Sequence, residues 1–305
     1  MEKIRDILEK MPEELVNIII QYTNEYTYEK EGELELEWPE ITDMKIHKKI
    51  LYVPQYYLGN YKKLECWNIE INEKNTEIPN DSRYDNKLIK NIDFIDNNVY
   101  ICTNKNVIYM FFKMMYIFPH TIYYNTNIEI KKIIITNDFM VIQKKDWGIE
   151  RMKYGKGWAL KYKGTEKNPN YDFYVYENKI YLLSMYNKKI LIYSMKKFLL
   201  KEIKIINNKK LRDYNSEEIR MLIKDDMIYV NNGRKLLILD MDGEYISEIN
   251  YNKYENMNLP FCVNDGKVYL SVKNKIMIYK QKYKSKDVMT KKKSIGWGIA
   301  KYLKK

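Results

Sequence analysis

The chain has 305 residues, of which 45% are hydrophobic, and a formal net charge of +12 at pH 7, so it has enough apolar content to bury a large core. The first residues are charged and no run of about 18 apolar residues occurs, so we expect neither a signal peptide nor a membrane span. Three cysteines, Cys66, Cys102 and Cys262, lie in apolar, strand-like runs and predict reduced core thiols of an intracellular protein rather than disulfides or metal ligands.

Residues 1–31 predict a helical arm. Residues 11 to 15 read Met-Pro-Glu-Glu-Leu, and an aliphatic run follows. This segment resembles the opening helix of an F-box, whose pattern is Leu-Pro-x-Glu-Leu and then aliphatic residues; the later helices of that domain are missing here. The resemblance implies binding to the F-box partner Skp1 through Pro12, Leu15, Ile18 and Ile19. The alternative is a plain helix that lies across the rest of the fold and has Pro12 at its start.

Residues 32–40 predict a closing strand. From Gly32 to Pro39 apolar and acidic residues alternate with a period of two, as in an edge strand that buries one face. We expect this strand to be the outer strand of the last repeat, paired with the strand at residues 276–279. A free β-hairpin arm is the alternative.

A repeat marked by tyrosine fills the middle of the chain. Five times a polar turn is followed by an aliphatic residue, a tyrosine and another aliphatic residue, and a sixth copy has valine in place of the tyrosine. The marker residues are spaced 40 to 48 residues apart and are Tyr52, Tyr100, Val141, Tyr181, Tyr229 and Tyr269. An aliphatic strand precedes each marker, a third strand follows it, and several copies have a fourth strand. Four antiparallel strands in a repeat of this length predict a propeller blade.

The expected fold is therefore all-β: a six-bladed β-propeller over residues 32–281, closed by the strand at residues 32–40. Over residues 41–281 the chain resembles the six-bladed propellers of the NHL and sugar-lactonase-like superfamily in its aliphatic-Tyr-aliphatic second strand. The Trp-Asp and Gly-His pairs of WD repeats and the double glycines of kelch repeats are absent. The sixth repeat has only three strands of its own, so the closing strand is needed to cover its outer edge.

Residues 282–305 predict a basic tail with a short helix. Residues 280–305 contain ten lysines and one aspartate, whereas residues 1–40 contain twelve acids and four basic residues. In the tail, the residues that we expect to contact a partner are Lys291, Lys292, Lys293 and Trp297. The lysines favour an acidic protein or a nucleic acid as partner, ahead of an anionic membrane surface. Alternatively, the tail neutralises the acidic N-terminal arm of the same chain.

Residues suited to catalysis are few. The two histidines, His47 and His120, occupy different positions in their repeats and have no evident partners for a metal site or a catalytic triad, so we interpret them as turn or hydrogen-bonding residues. The acids near the first strands of the repeats are candidate ligands for a calcium or magnesium ion: Asp93, Asp172, Glu177, Asp225 and Asp265. Most of these acids fall in strand-to-strand turns, where they cap the backbone. We predict no catalytic, cofactor-binding or metal-binding residue.

The sequence favours a non-enzymatic scaffold or adaptor that binds other proteins. The alternatives are an F-box-like substrate adaptor of a ubiquitin ligase, a nucleic-acid-associated protein that uses the basic tail, and a metal-dependent propeller hydrolase. The abundance of Tyr, Lys, Asn and Ile indicates an AT-biased genome. A structural or host-interaction protein of a large DNA virus or an intracellular parasite fits this bias, and we expect it in the cytoplasm, the nucleus or the virion.

Overall fold

The computed structural model of the chain is all-β wherever it describes the residues. The described residues are 26–37, 40–57, 61–75, 89–96, 98–103, 108–111, 120–122, 130–144, 148–153, 156–163, 171–184, 189–195, 199–204, 219–233, 235–251 and 260–283. Residues 1–25 of the predicted helical arm, the predicted C-terminal helix and all predicted partner-binding residues lie outside these ranges. Residues 26–31, which the sequence also predicts to belong to the helical arm, are instead part of a β-strand. Within them, no helix is long and apolar enough to cross a membrane.

The chain divides into two units. One is Lys30–Lys280, and the other combines Met1–Glu29 with Gln281–Lys305. The strands are, in chain order, β1 (Tyr26–Glu35), β2 (Glu40–Ile41), β3 (Lys45–His47), β4 (Ile50–Tyr57), β5 (Tyr61–Asn68), β6 (Glu73–Asn75), β7 (Ile89–Ile95), β8 (Asn98–Thr103), β9 (Ile108–Phe111), β10 (His120–Ile122), β11 (Ile130–Ile135), β12 (Phe139–Lys144), β13 (Gly148–Lys153), β14 (Lys156–Lys163), β15 (Tyr171–Tyr176), β16 (Lys179–Ser184), β17 (Lys189–Ser194), β18 (Leu199–Lys204), β19 (Arg220–Lys224), β20 (Met227–Asn231), β21 (Lys235–Asp240), β22 (Tyr245–Asn250), β23 (Phe261–Asn264), β24 (Lys267–Val272) and β25 (Lys275–Tyr283).

These strands form a β-propeller arrangement of small sheets. Five sheets are four-stranded, and their strand orders are β10-β9-β8-β7, β11-β12-β13-β14, β15-β16-β17-β18, β19-β20-β21-β22 and β1-β25-β24-β23. Four of them are simple meanders, because each strand pairs with the next strand in the chain. Such meanders are the blades that the repeat predicted.

The first sheet differs from the prediction of six four-stranded blades, because it has five strands. Its strand β4 is eight residues long and pairs with β5 over its whole length. The opposite edge of β4 has room for two short partners. Strand β3 pairs with residues 50–52, and β2 pairs with residues 55 and 56.

The tyrosine-marked strands form the core of the propeller. The marker residues lie in the second strand of each repeat and are all buried: Tyr52, Tyr100, Val141, Tyr181, Tyr229 and Tyr269. The apolar clusters join neighbouring sheets, since Tyr181 and Leu183 pack with Met221 and Ile223 of the next sheet. The core therefore lies between the sheets, which explains why each repeat keeps the same apolar pattern.

Several turns between first and second strands place acidic residues at positive φ. Glu177, Asp225 and Asp265 have φ angles of 47°, 51° and 49°, and all three side chains are exposed. Aspartate tolerates this left-handed conformation better than most residues, because its side chain bonds to the nearby backbone. The predicted turn position of these three acids is confirmed.

Strand β1 completes the last sheet as its outer strand. It lies beside β25, and the Leu36 N–H donates to the Asn274 carbonyl oxygen at 2.8 Å. The sequence placed this strand at residues 32–40, whereas the structure places it at Tyr26–Glu35. Leu34 and Leu36 are buried in one cluster with Met44, so the alternation of apolar and acidic residues does bury one face of the segment.

The three cysteines are buried, free thiols. Burial raises the pKa of Cys66 and of Cys102 to about 12 and also raises the pKa of Cys262. Since the thiolate is the reactive form, we expect a thiol reagent such as Ellman's reagent to leave the native protein unlabelled at about pH 8 and to label all three thiols in denaturant. Rapid labelling of the native protein would contradict this placement.

Candidate functional site

Most of the buried charged residues among the described ones lie on or directly beside the first strands of the sheets. These strands contact one another in sequence: β3 contacts β7, β7 contacts β11, β15 contacts β19, β19 contacts β23, and β23 contacts β3. Each of five repeats has a polar residue directly before a buried apolar one in the chain, and these polar residues are Asp43, Asn91, Lys132, Asp172 and Arg220. Together with Asp93 and Lys45 they form what we call the inner-strand cluster.

Carboxylate and amide oxygens of this cluster accept main-chain N–H groups of the following sheet. Asp43 Oδ2 accepts the Ile92 N–H at 3.0 Å, and Asn91 Oδ1 accepts the Ile133 N–H at 2.9 Å. Further bonds of the same kind run from the Ile135 N–H to Asp93 Oδ2 at 2.7 Å and from the Met221 N–H to Asp172 Oδ2 at 2.6 Å.

These side-chain bonds satisfy main-chain N–H groups that the sheets leave without a partner. The first strand of a blade is an edge strand, so some of its N–H groups have no strand partner. Side-chain acceptors from the neighbouring sheet satisfy these donors and hold two sheets together at the same time. The polar residues therefore have a structural task at these positions.

Lys132 connects three sheets. Its Nζ donates to both carboxylate oxygens of Asp172, at 2.8 and 2.7 Å, and to the Phe173 carbonyl oxygen at 2.8 Å. A longer contact of 3.4 Å reaches the carbonyl oxygen of Met221 in the sheet after that. The ammonium group of this lysine thus links β11 to β15. At the equivalent positions of other repeats, the link is made by a carboxylate or an amide.

Two further cations complete the cluster. Lys45 Nζ lies 3.2 Å from Asp93 Oδ1, and Arg220 Nη2 donates to the Thr42 carbonyl oxygen at 3.4 Å. The second contact joins the fifth repeat to the first. The cluster thus contains three cations and three carboxylates. The cations are Lys45, Lys132 and Arg220, and the carboxylates are those of Asp43, Asp93 and Asp172.

Burial and the opposite charges control the ionisation of this cluster. Burial raises the pKa of Asp43, although Lys45 and Arg220 oppose the rise. For Lys45, burial alone would lower the pKa, but Asp93 and other nearby groups outweigh it and raise the pKa. Burial lowers the pKa of Lys132 against the opposing effect of Asp172. The charges depend on one another, so that removing one leaves its partner buried and uncompensated.

This arrangement does not resemble a metal site. Asp93 and Asp172 each bind a lysine and a main-chain N–H, whereas Glu177, Asp225 and Asp265 lie in exposed turns, so the five candidate ligands are not one group. Among the described residues, no three His, Cys, Asp or Glu side chains are grouped as a metal ion requires.

The two histidines lie on different sheets. His47 stacks on Phe94 with ring centroids 4.8 Å apart, and burial lowers its pKa. His120 is the first residue of β10, the outer strand of its sheet, where it pairs in register with Met110.

The sequence contained a signal for the inner-strand cluster. A polar residue precedes the buried apolar residue at the same point of successive repeats, as in Asp43-Met44, Asn91-Ile92 and Asp172-Phe173. The acids Asp93 and Asp172 are recognisable in the sequence, but Lys132 and Arg220 are not, because lysine and arginine are usually exposed.

Comparisons with known proteins add nothing on function. No family model and no curated protein matches the chain. Among solved structures, the computationally designed protein Ika8 is similar with a TM-score of 0.49 at 10% identity, over 79% of this chain and 70% of that one. The N-terminal domain of Nup159 gives 0.48 at 10% identity, over 85% and 96%. BamB from Moraxella catarrhalis gives 0.45 at 12% identity, over 80% and 70%.

Proposed function

We propose that this protein is a non-enzymatic β-propeller scaffold that binds other proteins. The observation that carries the proposal is the use of the inner-strand cluster: its carboxylates are bonded to lysines and to main-chain N–H groups of the next sheet. In a propeller enzyme we would expect such acids to be available to a metal ion or a substrate. Here they bind groups of the neighbouring sheet and so hold the sheets together.

The same contacts support a closed ring of six blades. Five of the six junctions between first strands are direct contacts, and the Lys132–Asp172 ion pair joins β11 to β15 at the remaining one. We therefore count the five-stranded first sheet as a blade. A ring whose neighbouring blades are joined by these contacts is a rigid support for segments attached to it.

The proposed docking elements are the N-terminal arm and the basic tail. They are attached to neighbouring strands, since β1 lies beside β25 and the Thr27 hydroxyl donates to the Lys282 carbonyl oxygen at 3.5 Å. A partner that contacts both segments would gain affinity from their proximity. The contact residues that we propose remain Pro12, Leu15, Ile18, Ile19, Lys291, Lys292, Lys293 and Trp297.

The proposed setting is the interior of a cell, in the cytoplasm or the nucleus, or a virion. The abundance of tyrosine, lysine, asparagine and isoleucine supports an AT-biased source such as a large DNA virus or an intracellular parasite. In such a source the scaffold would have a structural or host-interaction role.

Affinity capture with truncated chains tests the proposal. We expect the full chain to retain a protein partner that is lost when residues 1–25 or residues 284–305 are removed, because the two segments carry the proposed contacts. Replacing Lys291, Lys292 and Lys293 by alanine should weaken capture about tenfold or more, since clustered charges set the association rate.

The matched control replaces Lys179, Lys189 and Lys201 by alanine, which removes the same charge from partly exposed strand positions. Equal loss in both triple variants would show a general charge effect and would contradict the tail as a docking element. Capture of Skp1 that depends on Pro12 and Leu15 would identify the adaptor alternative instead. Recovery of nucleic acid with a steep salt dependence would identify the other alternative.

A further inference from the structure

The closing strand has two parts that are held by different forces. Its C-terminal part is anchored by Leu34 and Leu36, which are 4% and 5% exposed and pack with Met44 and Leu51. In its N-terminal part, residues 27–33, every side chain is exposed or half-buried. Burial of apolar surface therefore holds the C-terminal part of the strand, whereas residues 27–33 depend on other contacts.

Residues 27–33 belong to the strand that lies beside β25, and β25 is longer than β24 on its other side. The pairing of β24 with β25 runs from Val272 opposite Lys275 to Lys267 opposite Lys280, whereas β25 continues to Tyr283. Residues 281–283 thus extend past the last residue of β25 that pairs with β24. Beyond Lys280 the closing strand and β25 form a narrow ribbon.

A ladder of ion pairs runs along this ribbon. Glu31 lies 2.6 Å from Lys267 Nζ and 3.6 Å from Lys280 Nζ, and Glu29 pairs with Lys282. Toward the anchor, Glu33 lies 2.5 Å from Lys275 Nζ and 2.7 Å from Lys30 Nζ, and Glu35 is 3.3 Å from Lys275 Nζ. Alternate residues of one strand thus all carry carboxylates that face lysines. We call these contacts the clasp ladder.

We propose that the clasp ladder is a latch controlled by ions: residues 27–33 detach from β25 when salt screens the ladder or acid discharges it, while Leu34 and Leu36 stay anchored. Exposed ion pairs are weakened by salt, whereas apolar burial is not. A rise in ionic strength therefore loosens one part of the strand selectively. This device is independent of the identity of any partner.

Acid acts in the same direction. Hydrogen bonds from Lys267 to Glu31 lower the pKa of Glu31, and hydrogen bonds from Lys275 and Lys30 lower the pKa of Glu33 to about 2. A carboxylate with a lowered pKa stabilises the paired state above its unfolded pKa, and this stabilisation is lost as the pH falls through the lowered value. The latch should thus loosen below about pH 4.5 and progressively toward pH 2.

Other charged groups near the ladder do not reverse this sign. The groups that face its carboxylates are the lysines Lys30, Lys267, Lys275, Lys280 and Lys282, whose positive charges favour the ionised carboxylates. Tyr269, which senses Glu31 and Asp265, has its pKa raised to about 12, mainly by burial, and stays neutral.

Hydrogen–deuterium exchange of the full chain at neutral pH, followed by mass spectrometry, tests the latch. Between about 20 mM and 500 mM sodium chloride, we expect the amides of residues 27–33 to exchange about threefold faster or more, while those of residues 34–36 and of β24 stay unchanged. Unchanged exchange at residues 27–33, or equal acceleration of the whole sheet, overturns the proposal.

A triple variant separates the ladder from general effects of salt. Replacing Glu29, Glu31 and Glu33 by glutamine should give fast exchange at low salt and remove the salt response. The control replaces Glu70, Glu177 and Glu202 by glutamine, because each of these also pairs with a surface lysine outside the closing strand. If the ladder variant exchanges like the control, the latch does not exist.

Discussion

Replacing Lys132 by methionine should lower the free energy of unfolding by about 3–5 kcal/mol. The ammonium group is buried and donates to both oxygens of Asp172 and to two main-chain carbonyls. Methionine fills much of the same volume, but it leaves the Asp172 carboxylate buried without its cation. Urea unfolding at neutral pH, followed by tyrosine or tryptophan fluorescence, measures the change.

Two further variants show whether the cause is the buried ion pair. Lys201 pairs with Asp242 on the surface, where the side chains are 54% and 76% exposed, so Lys201→Met should change the stability by less than about 1 kcal/mol. Adding Asp172→Asn to Lys132→Met removes the uncompensated charge and should restore part of the stability. A Lys132→Met protein as stable as Lys201→Met would mean that the cluster does not fasten the ring.

Replacing Leu34 by alanine should lower the free energy of unfolding by about 2–5 kcal/mol. Leu34 is 4% exposed and lies in a cluster that also contains Ile276 and Ile278 of β25 and Leu51 of the first sheet. The truncation leaves a cavity at the junction where the last sheet meets the first, which the closing strand secures. The midpoint of urea unfolding should fall accordingly.

Glu35 is the matched position for this second test. It is the next residue in the same strand, its side chain is 77% exposed, and it pairs with Lys275 at 3.3 Å. We expect Glu35→Ala to cost less than about 1 kcal/mol. Comparable losses at the two positions would refute the assignment of one buried and one exposed face to the closing strand.

The sequence predicted the blades because their second strands follow a simple physical pattern. A residue such as Tyr229 or Tyr269 lies between two aliphatic residues in a strand that is covered on both faces, and it is almost fully buried. The acids of the turns were recognisable for a similar reason, since Asp225 and Asp265 occupy positions where φ is positive. Both features are local in the chain.

The first sheet was harder to predict because its form depends on strand lengths. Strand β4 extends over eight residues, and its free edge takes up Glu40 and Ile41 as an additional strand. The repeat pattern fixes where a strand passes through the core but not how far it continues. The shift of the closing strand from residues 32–40 to Tyr26–Glu35 has the same origin.

The inner-strand cluster could not be read from the sequence with the same ease. Most of its bonds join residues 40 to 50 positions apart, such as Lys132 to Asp172 and Asp43 to Ile92, and the Arg220 contact with Thr42 spans 178 positions. A single lysine in a chain with 53 lysines and arginines carries no mark of burial. Only the arrangement of successive first strands brings these charges together. The predicted contact residues of the two terminal segments lie outside the described part of the chain and stay predictions.

The pairing of β1 with β25 also constrains the order of events during protein synthesis. Glu29 and Lys282, which pair in the finished fold, are 253 residues apart, so the ribosome must synthesise residue 282 before this pair can form. Until then β1 has no partner strand, and Leu34 and Leu36 lack the residues of β25 against which they pack. Because charges on an edge strand discourage pairing with other strands, we expect its row of glutamates to keep the unpaired β1 from associating with other copies. The acidic alternation would then act during synthesis as well as in the finished propeller.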